Sequence, residues 1–284
     1  MDKYRLIWFQ HLHKAAGTTI VELAKNNMEN FYSNHKNGNP YDENDEMIEI
    51  WKFDKNDLKS FIDDCERKKI TFVATEWGSP NFKILSEDSR VVLITAIRDP
   101  IDRLISNYYY DLFKGFTKEK DIISFLDTQL FNTSNYYTII FSNKDYKEVK
   151  KIGLNNQDLK KAIKNFNLFN NVFIMKDNHF LEKVKMELSW SKNIPKPDPK
   201  TTKVSPMVKI LSRILGWQDD PKIKKKTVRN PFLAYEILKK LKFILFFKYI
   251  KTENLTINEK EERILKEKNN YDIFLYDYIK SKFN

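Results

Sequence analysis

The chain has 284 residues, 41% of them apolar and 14% aromatic, and a net charge of +11 at pH 7. That composition supports a full apolar core and excludes a disordered chain, while a single cysteine, Cys65, excludes an internal disulfide framework. The charge is concentrated: ten Lys or Arg stand against one acid, Glu236, between residues 222 and 251, and the remainder is close to neutral, which argues against a uniformly basic nucleic-acid binder. In chain order, β-branched and aromatic runs predict strands at 5–10, 70–75, 91–97 and 171–175. Helical patterns fall at 18–28, 56–69, 100–114 and 158–166. Strands alternating with helices of this length predict an α/β fold with a parallel central sheet flanked by helices. Right-handed crossovers then place every strand C-terminus on one edge, where such sheets bind ligands. The stretch "PKPDPK", 195–200, reads as a surface loop. A single domain over 1–284 is expected, with a basic, apolar insertion at about 204–254.

Three stretches follow predicted strands. In "HKAAGTT", 13–19, Gly17 permits close backbone approach, and Thr18 and Thr19 open a helix whose first N–H groups point outward. Such a turn is an anion cradle, with Lys14 beside it as a mobile cation. The lysine precedes the glycine and no second glycine is near, so the stretch is not the GxxxxGK[ST] loop of nucleotide triphosphatases. In "RDPIDRLIS", 98–106, Arg98 stands at the strand end, Asp99 is positioned to cap the helix, and Pro100 takes its first position. Ser106 lies two turns in, and Arg103, three residues earlier, can share its face, giving a fork and a hydroxyl suited to a phosphate monoester. The structural alternative pairs Arg98 with Asp99 and makes residues 108–110 core. In "FVATEWGSPNF", 72–82, Glu76 ends the second strand.

Together, "HKAAGTT" and "RDPIDRLISNYYY" resemble the two phosphosulfate-binding motifs of the sulfotransferases that use 3′-phosphoadenosine 5′-phosphosulfate. The likeness is closest to the carbohydrate branch that includes heparan sulfate 2-O-sulfotransferase. The later segment "NVFIMKDNHFLEKVKMEL" is similar to that branch's fourth strand and next helix, "NNYDIFLYDYIKSKF" to its closing helix, and "KTT", 200–202, to a late loop that closes on the nucleotide. His13 stands where proline is more usual, and Ala15–Ala16 where a polar residue and glycine are common. The resemblance implies a P-loop-NTPase-like sulfotransferase fold. It assigns Lys14, Ala16, Gly17, Thr18 and Thr19 to the 5′-phosphosulfate, Arg98 and Ser106 to the 3′-phosphate, and Lys200, Thr201 and Thr202 to the closing loop.

The chemistry implied is in-line sulfuryl transfer to a hydroxyl of a carbohydrate or glycolipid acceptor, with Lys14 stabilising the leaving oxygen and no metal required. The acceptor proton needs a base. Glu76 is the first choice, standing where the heparan 2-O branch has a histidine, and His13 and His11 are rivals. With His35 and His179 the only other histidines, no zinc-ligand spacing is present. Two other classes remain open: a nucleotide-dependent kinase of related fold, and a non-catalytic binder of anionic glycan or membrane acting through residues 222–251. The lone cysteine, the lack of a charged-then-apolar leader and the lack of a long apolar run lead us to expect a cytoplasmic protein, peripheral at a membrane if the basic segment contacts lipid.

Overall fold

All five residues of the first strand, β1 (Leu6–Gln10), are buried, so both of its faces need a cover. The period of two sends Leu6 and Trp8 into one apolar core and Ile7 and Phe9 into a second. The computed structural model describes residues 3–119, 121–129, 131–175, 179–193 and 257–283. After β1 come α1 (Gly17–Asn26), β2 (His35–Lys36), β3 (Asn39–Pro40), α2 (Lys55–Arg67), β4 (Phe72–Thr75), α3 (Phe82–Glu87), β5 (Val91–Ile97) and α4 (Pro100–Lys114). They are followed by α5 (Ile122–Thr128), α6 (Tyr136–Ser142), α7 (Tyr146–Ile152), α8 (Asn156–Phe166), β6 (Asn171–Ile174) and α9 (Phe180–Glu187). The described chain closes with α10 (Glu259–Lys268) and α11 (Asn270–Phe283).

Strands β4, β1, β5 and β6 lie side by side in that order, all parallel, with Ile7 opposite Phe72, Leu6 opposite Val91 and Ile94 opposite Asn171. The protein is an α/β fold with a parallel central sheet flanked by helices. One core joins the sheet to α2, α3, α6, α8 and α11, and the other joins it to α1 and α9. The chain divides into two units: Met1–Ile194 together with Glu259–Asn284, which holds the sheet, and Pro195–Asn258. The expected insertion at 204–254 lies outside the described residues, as do Lys200, Thr201 and Thr202. Among the described residues no helix is long and apolar enough to cross a membrane.

Element ends differ from the predicted ones by a residue or two, for identifiable reasons. Lys69 takes a left-handed backbone (φ 56°), and the Ile70 N–H turns back to the Cys65 carbonyl, so Ile70 ends α2 instead of starting β4. Met28 (φ 64°) likewise lies beyond the end of α1. Asp99 caps α4 through its Oδ1, with Pro100 at the first position and Gly115 left-handed at the end.

The larger departure is the group α5 to α7, where the sequence predicts no element. All seven residues of α6 are buried, so it has no polar face to mark it. Its N-terminus is capped from a distance. The buried Asp272 of α11 accepts the N–H groups of Tyr137 and Thr138 and the Thr138 hydroxyl, each at 2.8–2.9 Å. Arg103, on α4, is fully buried, donates to the carbonyls of Asn132 and Thr133, and lies 4.6 Å from the Tyr136 ring centre. The expected Arg103–Ser106 face does not form: Arg103 turns into the protein to hold the approach to α6, whereas Ser106 stays half-buried.

Candidate functional site

The strand order creates a crevice. The chain passes from β1 to β4 on one side and then crosses back over β1 to β5, so the loops after β1 and β5 leave the sheet edge in opposite directions. Residues 11–16 and Arg98–Asp99 border that opening, and the stretch from Glu76 follows the neighbouring strand.

The same buried helix ties both loops down. From α6, Tyr136 accepts the His13 N–H at 3.0 Å, while Tyr137 accepts the Arg98 N–H at 3.1 Å and donates to the Arg98 carbonyl at 2.8 Å. A line of contacts therefore runs from Asp272 through α6 to the two motif loops. No sequence signal pointed to it.

In the first loop Lys14 and Ala16 are both left-handed, with φ of 64°. Such strain in residues with a side chain persists only where the surroundings impose it. Ala16 is the N-cap of α1 and offers no side-chain acceptor, and the first turn holds no acid. Among the described residues, the first N–H groups of α1, at Gly17, Thr18 and Thr19, therefore lack a side-chain cap. Helices α2, α3, α4, α5, α7 and α8 are each capped by an Asp or Asn side chain. Thr18 is exposed and Thr19 half-buried.

Gly17 has a role that its spacing does not reveal. A Cβ built on it would lie 1.6 Å from Nε2 of His11, so the space it leaves is filled by this protein's own imidazole. His11 is buried, stacks on Phe9 at 5.4 Å, and has its Nδ1 3.4 Å from Asn37 Nδ2 and 3.6 Å from Glu76 Oε2. Burial holds its pKa below the ordinary histidine value, against the pull of Glu76 and with a small push from His13. The unfolded chain therefore binds this proton first as the pH falls. Stability is full above about pH 6.5 and declines below it, with a slope approaching about 1.4 kcal/mol per pH unit. Urea titrations between pH 7.5 and 5 are expected to show this slope in the wild type and a shallower one in His11→Gln; equal slopes would rule it out.

Lys14 Nζ lies 4.4 Å from the centre of the Tyr110 ring. Burial and then the nearby Arg98 charge lower its pKa, opposed by Asp111 and Glu76. Asp111, unnoticed in the sequence, is pushed up by burial and drawn back down by His13 and Lys14. Arg98 is the least satisfied group of the crevice. Among the described residues nothing accepts from its guanidinium, and its buried Nε has no partner. The expected alternative, an Arg98–Asp99 ion pair, is not made, because Asp99 is occupied in capping α4.

Glu76 sits between two histidines. Its Oε1 is 3.3 Å from His13 Nδ1, its Oε2 faces His11, and its N–H donates to Asn39 Oδ1 at 2.7 Å. Burial pushes the carboxyl up, but the His13 hydrogen bond, the His11 and His13 charges and an Asn37 hydrogen bond outweigh it, leaving Glu76 below the usual carboxylate range. Asn37 and Asn39 come from the β2–β3 hairpin, whose two-residue turn, Asn37 (φ 52°) and Gly38 (φ 84°), lies against β4. The Asn-Gly pair was the available signal for it.

The structure thus gathers His13, Lys14, Glu76 and Arg98 at one opening, with the uncapped start of α1. An open groove of about 960 Å³ runs along α2, past Tyr32, Tyr41, Phe53 and Asp57, and includes none of those four. No protein-family model matches the chain, and no curated protein matches it significantly.

Proposed function

We propose that the crevice binds 3′-phosphoadenosine 5′-phosphosulfate and transfers its sulfuryl group to a hydroxyl of a carbohydrate or glycolipid acceptor, in a sulfotransferase variant of the P-loop-like fold. The observation that carries this reading is the Arg98 guanidinium, unpaired among the described residues, beside Lys14. A cation with a buried, unpartnered N–H is costly unless an anion completes it, and Arg98 together with the Lys14 ammonium, beside uncapped backbone N–H groups, suits a ligand with phosphates at two positions. In this reading the start of α1 (Gly17, Thr18, Thr19) with Ala16 and Lys14 holds the 5′-phosphosulfate, and Arg98 with Ser106 holds the 3′-phosphate. Lys14 stabilises charge on the oxygen that leaves with the 5′-phosphate. The acceptor proton goes to the His13–Glu76 pair. The residues named need no metal for these tasks.

Calorimetry with 3′,5′-adenosine bisphosphate, with and without magnesium and against ATP, tests the reading. Binding independent of magnesium and weakened about 100-fold by Arg98→Ala is expected, as for loss of a bidentate contact worth about 2.7 kcal/mol. Failure of the folded wild type to bind the bisphosphate would overturn it.

A further inference from the structure

We infer that Nε2 of His13 takes the acceptor proton, and that Glu76 is a positioning residue that orients the His13 ring. The inference rests on the sulfotransferase reading and assigns the proton's path within it.

The geometry favours this order. An ionised carboxylate only accepts hydrogen bonds, so the 3.3 Å contact with Glu76 Oε1 requires the proton of neutral His13 to sit on Nδ1. The Nε2 lone pair is then free, and no described residue hydrogen-bonds to it. Glu76 is poorly suited to be the base itself. One of its oxygens is occupied by His13 and the other faces the buried His11. Its backbone is anchored by Asn39. The two imidazoles approach different oxygens of one carboxylate, an arrangement that orients rings, and no metal-holding group is present among the described residues.

His13 is the more open of the two imidazoles and stands beside Lys14 in the first loop. Its side chain is 14% exposed, against 5% for His11. It packs edge-on against Tyr110 at 5.3 Å, the ring that also carries Lys14 Nζ, so proton acceptor and leaving-group cation share one support. The charged and titratable groups around it are Glu76 from the end of β4, His11 and Lys14 from its own loop, Tyr110 and Asp111 from α4, and Tyr136 from α6, whose hydroxyl holds the His13 N–H.

In the step, the acceptor O–H proton moves to His13 Nε2 as the acceptor oxygen forms its bond to sulfur. The sulfur–oxygen bond to the 5′-phosphate breaks, and its electron pair leaves on the phosphate oxygen. The imidazolium formed lies against the Glu76 carboxylate and later returns its proton to water. The carboxylate holds the ring and steadies the charge, while the histidine accepts the proton, a division of labour known from hydrolase triads.

Three measurements on the full chain test this. Nitrogen-15 NMR of histidine-labelled protein, with His13 assigned through His13→Asn, is expected to show the Nδ1–H tautomer, lost in Glu76→Gln; an Nε2–H tautomer in the wild type would overturn the assignment. Donor consumption with water as the acceptor is expected to fall 100-fold to 1,000-fold in His13→Ala, with partial rescue by added imidazole. In Glu76→Gln the fall is nearer tenfold, and the rising limb of the pH profile moves to lower pH. Unchanged consumption in His13→Ala, or a larger loss in Glu76→Gln than in His13→Ala, would overturn the assignment. Both variants are expected to bind 3′,5′-adenosine bisphosphate. Retained binding with the wrong tautomer or the wrong order of losses refutes this inference alone, whereas absent binding in the wild type refutes the reading beneath it.

Discussion

Lys14→Ala is expected to lower sulfuryl-transfer turnover about 10³-fold, equivalent to about 4 kcal/mol of transition-state stabilisation, while weakening binding of the unreacted phosphosulfate donor by about tenfold or less. The split follows from where the charge changes. Negative charge grows on the leaving oxygen only as the sulfur–oxygen bond breaks, so a cation there acts mainly on turnover. Lys14 is suited to the task because its ammonium is partly withdrawn from water against Tyr110 and beside Arg98, where each unit of charge counts for more than in bulk solvent. Alanine is a fair probe. Both residues carry a Cβ, so the left-handed backbone at φ 64° is no more strained in the variant. Single-turnover assays beside calorimetry measure both quantities. Turnover within threefold of wild type would remove Lys14 from the reaction and assign the leaving-group charge to another cation.

Gly17→Ala is expected to destabilise the fold by about 4 kcal/mol, among the larger single-site effects. The new methyl would lie 1.6 Å from His11 Nε2, and His11 has no room to retreat. It is buried, stacked on Phe9, and set against Asn37 and Glu76. Relief requires either moving the ring, which abandons those contacts, or moving the start of α1, which disturbs the cradle. The double variant Gly17→Ala/His11→Ala is expected to recover at least half of the loss, because the clash partner is gone. Urea denaturation of the four members of the cycle supplies the coupling. Additive effects would mean that the clash is relieved elsewhere.

Much of the sheet was legible because its strands are covered on both faces. Runs such as "LIWFQ" and "VVLITAI" read as strands without alternation, and the helices between them then force parallel pairing and one shared C-terminal edge. The start of α4 was equally clear, since Asp99 and Pro100 are local devices that act through their own backbone. By contrast α6 was invisible. A helix buried on every side carries no 3.6-residue polar rhythm, and its cap comes from Asp272, more than 130 residues away in the chain. The β2–β3 hairpin was missed because the Asn-Gly turn is flanked by polar residues where a strand signal would have been apolar.

The candidate site divides along the same line. The sequence by itself determined that Lys14, Gly17, Glu76 and Arg98 follow strand ends, and so share one edge of the sheet, because strands joined through helices run parallel and end on the same side. Only the tertiary structure decided which groups stay open to a ligand. The sequence put Arg98 at the strand end and Arg103 on the Ser106 face of the next helix, with nothing to say which guanidinium would be satisfied by the protein itself. Arg103 is consumed by the carbonyls of Asn132 and Thr133, whereas the Arg98 guanidinium is left without a partner among the described residues. Gly17 proved necessary for His11, and Glu76 proved to be paired with His13. These outcomes depend on atoms brought together from distant parts of the chain. Hydrogen-bond capacity is finite, so a side chain's availability is set by the neighbours that reach it first.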